Sequence, residues 1–535
     1  MTTERPLPGE EALPAPSARP PLSTRSPLST RAPLSTRPTP LSGRSLRYSA
    51  APAPPRHPLL IPLAAAYAMA LFAWSFLRHK HFGSGTFELG AYHSVLWNVA
   101  HRFTPWNSLE RAHQWSTHLE PALAVLAPFY RIAPSPVWLW MAESLCVAAA
   151  ALPIDAIARR ITGDAVIGLL AAAAMLLGPQ LVLGQLADFH VLALCALPVA
   201  VMAWAVEVDS SRGLALGALF AMLLREQMGI LVAAAALAWV VRQGKRRALP
   251  AIALGIAALS VSALEIFVVI PAFGGGGQSF HYVANYSYLG GAAGDAARSG
   301  AAKPVGVLST LLDPRRARYV AELLSGAVPL CLLALRMPRR AAWPLVLGAP
   351  QLAIQLLSSS WHKWSVHYPY GMPVAPVVAV TAVLALASVP TDKWRNARRL
   401  AATGWLALMV LHLAGKLPSP WGPGQPIDAT FRGSPRVLAL SEAIARVPAD
   451  ASISAQDDVV PHVAARSEVH LWPDGSSTDE YILLDLDGTA TNVQNPSALS
   501  AAARTLRADA RFEIVVDRAG VILAKRRPTH AVVFP

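Results

Sequence analysis

Charge is scarce in this chain. Asp, Glu, Lys and Arg make up 15% of 535 residues, against 53% apolar residues. That balance excludes an ordinary soluble enzyme, because several apolar runs approach the ~20 residues that cross a ~30 Å hydrocarbon core. Cysteine is scarcer still. Cys146, Cys195 and Cys331 all lie within apolar segments, so neither a disulfide framework nor a cysteine metal site is open to them. They read as small buried hydrophobes. The first 58 residues hold no apolar run, which excludes a signal peptide there. The net charge of +14 does not point to nucleic acid. Lys and Arg gather at the ends of apolar runs, where they act as orientation signals.

Residues 1–58 are rich in Pro, Ser and Arg. Pro-Leu-Ser-Thr-Arg recurs at 21–25, 27–31 and 33–37, with a degenerate copy at 40–44. So polar and proline-rich a repeat cannot build a core, and a disordered cytoplasmic tail is expected. Its eight Arg against three Glu suit a tether to anionic lipid; a merely solvated tail is the blander reading.

Residues 59–415 predict an α-helical polytopic membrane domain. Nine spans fall near 59–77, 137–157, 165–183, 189–207, 248–271, 320–336, 341–358, 371–390 and 400–415. Arg159-Arg160, Arg212, Arg242 with Lys245 to Arg247, Arg336 with Arg339-Arg340, and Lys393 with Arg395, Arg398 and Arg399 mark the cytoplasmic side. The stretch 213–241 carries Arg225-Glu226 at its middle, and each half is too short to span. It reads as a broken helix or hairpin, since charge at membrane depth needs a polar cavity or a partner. Pro121 to Ile132 is apolar but also too short. From 416 to 535 the pattern changes to strands at 452–454, 469–471, 481–486, 512–516 and 521–524, with helices near 436–446 and 496–508. A small extracytoplasmic α/β domain is expected, without a glycine-rich phosphate loop or a nucleophile elbow.

The candidate site starts at Glu88, just past the turn Gly83-Ser84-Gly85. Leu89, Tyr92, Leu96, Val99 and Phe103 then recur at helical spacing, which predicts an amphipathic helix on the membrane surface with Glu88 on its flank. The same outer face receives His93, His118, Glu120, Asp188, His190, Arg225, Glu226, His281, Tyr282, His362, Lys363, His367 and Tyr368. Carboxylates there supply a general base or ligands for a divalent cation, Mg or Mn. Arg, Lys and His hold a phosphate. Each has a bland counterpart: an internal ion pair for Arg225 and Glu226, a structural hydrogen bond for Asp188 and His190, and interfacial anchoring for His362, Lys363 and His367 beside Trp361 and Trp364.

Phe87-Glu88-Leu89-Gly90, Leu96-Trp97-Asn98, His118-Leu-Glu-Pro, Asp188-Phe-His190, Arg225-Glu226, His367-Tyr368 and Pro461-His462 resemble, in order, the signatures of the bacterial membrane family called domain of unknown function 2079. That family resembles the GT-C glycosyltransferases, multi-span enzymes that use polyprenyl-phosphate sugars. The resemblance implies a GT-C-like fold and an inverting transfer in which Glu88 deprotonates the acceptor and Asp188 orients it or a metal. His118, His190, Arg225, Glu226, His362, Lys363, His367 and Tyr368 would then serve the donor phosphate and substrate. Glu88 stands where the family pattern has Asp, and Gln227 where it has a second carboxylate. The competing expectation is a non-enzymatic transporter or scaffold; against transport, the charges sit at the outer boundary and no inverted repeat is visible.

Overall fold

A computed structural model describes residues 53–275, 281–289, 304–334, 342–388, 395–416, 434–488 and 496–528. Most of the proline-rich tail and the cytoplasmic markers Arg336, Arg339, Arg340 and Lys393 lie outside these residues. The protein is mostly helical. Six helices among the described residues are long and apolar enough to cross a membrane: Leu60–Lys80, Val137–Thr162, Ala165–Ala187, Val191–Val208, Lys245–Phe273 and Pro369–Ser388. The other three expected spans take less regular forms. One is broken at Ser325–Ala327, one is the 14-residue helix Trp343–Leu356, and one is Arg395–Ala414, with three arginines in its first five positions.

The helices show what covers them. Lys245–Phe273 exposes Leu249, Ile252, Ile256 and Leu259, at helical spacing. Such a continuous apolar ridge is at home against lipid tails. Its other side closes on Met228–Gln243. Gly229 allows that approach, because a Cβ there would meet the Ala258 carbonyl oxygen at 2.4 Å. The expected break in 213–241 is real. Ser211–Leu224 ends where Arg225 turns fully extended, and the next helix starts at Met228.

The two ends of the bundle differ. At the end remote from Glu88, carboxylates and guanidiniums neutralise one another: Asp155 with Arg159 at 2.8 Å, Glu207 with Arg242 at 2.9 Å, and Asp164 with Arg399 at 2.8 Å. At the opposite end, the chain between the first two spans makes a π-helical turn, Thr86–Gly90, then the helix Ala91–Arg102. A short hairpin follows, β1 (Trp106–Asn107) paired with β2 (Ala112–His113). The helix departs from the surface helix its spacing predicts. Tyr92 and Leu96 are buried as expected, but so are His93, Ser94, Val95, Asn98 and Ala100, while Phe103 is 83% exposed. The opposite face is covered by the C-terminal domain.

That domain has five strands: β3 (Ile453–Ala455), β4 (Val469–Leu471), β5 (Tyr481–Asp485), β6 (Phe512–Arg518) and β7 (Val521–Arg526). Their order is β4-β3-β5-β7-β6, parallel across the first three and antiparallel across the rest. Side chains alternate across the sheet. Leu483, Val521 and Leu523 face Ala439, Leu440 and Ala443 of the helix Pro435–Ala445. Ile482, Leu484, Ile522 and Ala524 face Leu499, Ala503 and Leu506 of Pro496–Ala508. Phe82 of the first span's end inserts into the former core, so the domain is keyed onto the membrane helices.

Candidate functional site

Glu88 sits in the turn Thr86–Gly90, which is held from both sides. The Gly85 amide donates to Asp188 at 2.9 Å. The Thr86 amide donates to Asp457 of the C-terminal domain at 2.7 Å, and the Thr86 hydroxyl donates to the Asp457 carbonyl at 2.9 Å. Past the turn, the Gly90 backbone packs against Val460 and Pro461, and the His93 ring bonds the Pro461 carbonyl at 3.0 Å. Glu88 itself makes no hydrogen bond or ion pair among the described residues. Burial pushes its carboxyl up to about 8. The charge of Asp188 adds to the rise, and Arg225 and Arg78 oppose it.

Asp188 caps the helix Pro179–Ala187. Its oxygens accept from Gly85 and from its own neighbour Phe189, and Arg78 lies 3.9 Å away. Burial raises its pKa, and Arg78 counters. So placed, Asp188 is a latch on the Glu88 turn. His190 accepts from the Leu192 amide at 3.1 Å and meets Tyr92 and Tyr370 edge-on, at 6.1 and 5.6 Å between rings.

Arg225 and Glu226 occupy the break in the hairpin and are spoken for. Arg225 donates to Glu120 at 2.9 Å and also contacts the His118 ring. Glu226 takes the other ring nitrogen of His118 at 2.9 Å and the Leu119 amide at 3.3 Å. Tyr92 and Gln114 donate to Glu120 as well, at 3.1 and 3.2 Å. All of these groups are buried. A buried charge needs such company, and this network fixes the break against the first loop.

Lys363 is buried and has no carboxylate partner among the described residues. Its ammonium lies 5.3 Å from the Tyr282 ring centre and 5.5 Å from that of Tyr286. Tyr282 stacks in turn on His118 at 4.5 Å. Burial and the charge of Arg225 lower the Lys363 pKa to about 8, which leaves it cationic at neutral pH. His362 stacks on Trp361 and meets Tyr368 edge-on, at 4.0 and 4.8 Å. Burial lowers its pKa. Tyr368 and Tyr370 both feel the charge of Glu88. His367 differs: it is exposed, and its charged neighbours are Lys416 and Glu322 rather than Glu88. The side chain of His281 lies outside the described residues.

Three further residues belong to this site and were not singled out from the sequence. Arg78 donates to the Leu186 and Ala187 carbonyls, at 2.6 and 2.5 Å, beside Asp188. It ends the first span together with His79 and Lys80, on the side expected to be exterior; a basic run there was the available signal. Glu143 is fully buried in Val137–Thr162 and accepts from the His190 amide at 3.4 Å. A carboxylate inside an apolar span was signal enough. Asp457 gave none, since only the docking of two distant segments reveals it. Among the described residues, no three His, Cys, Asp or Glu side chains converge in a group that could hold a metal ion.

No curated protein matches the sequence. The fold resembles that of ArnT from Cupriavidus metallidurans. In the crystal structure bound to undecaprenyl phosphate the TM-score is 0.50 at 11% identity, covering 87% of this chain and 97% of that one. In its apo state the TM-score is 0.45 at 13% identity, with the same coverage. The likeness to the first gives this protein a GT-C-like fold. The model of the family described as Predicted membrane protein (DUF2079) matches residues 78–523, and the chain belongs to that family.

Proposed function

We propose that this protein is an inverting, membrane-embedded glycosyltransferase that takes its sugar from a polyprenyl phosphate. The observation that carries the proposal is Glu88: a largely enclosed carboxylate, unpaired among the described residues, on a turn held by Asp188 and Asp457. A carboxylate with a pKa near working pH suits a general base. Glu88 accepts the proton of an acceptor hydroxyl. The hydroxyl oxygen then forms a bond to the anomeric carbon, and the bond from that carbon to the lipid phosphate breaks on the opposite face. Lys363, with its ammonium held over tyrosine rings and no ion pair among the described residues, receives the departing phosphate. Arg225 does not take that part directly, because Glu120 and His118 occupy it. His190, Tyr368 and Tyr370 line the substrate path.

The fold likeness to a protein crystallised with undecaprenyl phosphate supports the lipid part of this reading. Arg159, Arg242 and Arg399 at the far end of the bundle support a cytoplasmic N-terminus and an extracytoplasmic C-terminal domain, in the inner membrane of a bacterium. The test is Glu88→Gln in proteoliposomes supplied with polyprenyl-phosphate sugars. Loss of a general base predicts a fall in kcat of about 10²–10⁴-fold with donor KM little changed. Undiminished transfer removes Glu88 from the mechanism.

A further inference from the structure

A cleft of about 660 Å³ lies between the first loop and the C-terminal domain, and Glu88 does not line it. Arg102, Thr104, Trp106 and Arg111 line one wall, from the end of the helix Ala91–Arg102 and from the β1–β2 hairpin. Glu468 and His470 line the other, at the edge strand β4.

The wall around His470 is built. The residue is 8% exposed. Its Nδ1 lies 2.8 Å from Asp479 Oδ2, so Nδ1–H donates there and Nε2 is aimed the other way, 3.9 Å from the Glu468 carboxylate. The His470–Asp479 pair presses on Gly475. A Cβ at that glycine would lie 2.2 Å from Asp479 Oδ2 and 2.5 Å from His470 Nδ1, and its φ is +74°. Only glycine permits this packing.

The opposite wall brings two cations. Arg102 and Arg111 are exposed, and neither has an ion pair among the described residues. Arg102 is steadied over the Trp97 ring at 5.6 Å. Arg111 sits at φ +51°, a conformation that non-glycine residues rarely adopt and that cradles and ligand clamps often use. Two guanidinium forks ask for an anion. A lining tryptophan, an exposed carboxylate and a buried imidazole ask for something more than an anion: C–H surface to pack on and hydroxyls to bond. The volume suits one or two sugar rings.

We propose that this cleft binds an anionic saccharide, a hexose bearing a phosphate or a carboxylate. Arg102 and Arg111 hold the anion, Trp106 takes the ring face, and Glu468 and His470 take hydroxyls. On the transfer reading above, that saccharide is part of the acceptor; the binding itself does not depend on that reading.

The test is isothermal titration calorimetry of the full chain in nanodiscs with glucose 6-phosphate, glucuronate, glucose and inorganic phosphate. At least one anionic hexose should bind about tenfold or more tighter than both glucose and inorganic phosphate. Arg102→Ala and Arg111→Ala should each weaken it about tenfold, while Arg111→Lys retains most of the affinity. Both arginines are exposed and make no ion pair among the described residues, so the variants should keep the wild-type Tm. Which of the two hexoses binds tells phosphate from carboxylate. The proposal is overturned if neither binds, if phosphate alone or glucose alone binds as well, or if Arg111→Ala changes nothing. Glu88→Gln should bind with the wild-type Kd, so a failed transfer reaction and a failed cleft give different results.

Discussion

An unpaired carboxylate in an enclosed site is paid for in stability as it ionises. Glu88 has a folded pKa of about 8 against an ordinary value of 4.5, so the folded state holds its proton over a window in which the unfolded chain has lost it. The stability it allows is complete below about pH 4.5 and disappears as pH rises through about 8. The base function runs the other way, since only the ionised form takes a proton. Two opposed curves are therefore expected: the Tm of the wild type falling relative to Glu88→Gln between about pH 4.5 and 8, and its kcat/KM climbing through about pH 8. Parallel Tm curves for the two proteins between pH 5 and 9 would show that Glu88 is solvated like any surface carboxylate. Arg225 carries a different expectation. Its charge was legible as an oddity in an apolar stretch, but its partner was not, because Glu120 lies 105 residues earlier. Removing one member of a buried ion pair leaves the other uncompensated, at about 3–5 kcal/mol. Arg225→Met should accordingly lose folded protein in detergent extracts, whereas the exposed His367→Ala should not.

At the scale of elements, the sequence was most informative where one period ruled a whole segment. The strands at Tyr481–Asp485 and Val521–Arg526 were legible because β-branched and large apolar residues alternate between two covered faces. The hairpin break at Arg225 was legible because charge interrupts an apolar run. The burial of Ala91–Arg102 was not. Its spacing describes one apolar face, while His93, Ser94 and Asn98 on the other face are buried by partners more than 350 residues away or by the adjacent hairpin. The turn between Gly85 and Gly90 belongs to that same hidden class. Its shape depends on a hydrogen bond from Thr86 to Asp457, and a bond to a charged acceptor contributes about 1.5–3 kcal/mol. Asp457→Ala should let the turn relax and lower kcat by about tenfold, with the lipid donor's KM unchanged. Asp457→Asn keeps an acceptor oxygen and should restore most of the rate. Equal loss in both variants would mean that the charge of Asp457, rather than its hold on Thr86, matters.

For the whole molecule, the proposed chemistry depends on which way the two ends face. The ion-paired end holds Arg159, Arg242 and Arg399, each satisfied by a carboxylate. At the other end Arg225 is paired with Glu120, but Arg78 and Lys363 meet main-chain carbonyls and tyrosine rings instead. We propose that the first end faces the cytosol, the side on which basic residues are retained. On that proposal the second end, with the C-terminal sheet over it, faces the exterior, where a lipid-linked sugar would serve as donor without nucleotide. A cysteine at exposed Arg504, on the helix Pro496–Ala508 of that sheet domain, should react with a membrane-impermeant maleimide in intact spheroplasts. A cysteine at Ser42 in the proline-rich tail should react only after lysis. The native Cys195 is buried, and Cys146 and Cys331 lie within apolar helices, so background labelling should be low. The reverse labelling pattern would set Glu88 against the cytosol. Nucleotide sugars would then be the available donors, and the phosphate pocket proposed around Lys363 would have to admit a ligand with no lipid tail to lodge between the spans.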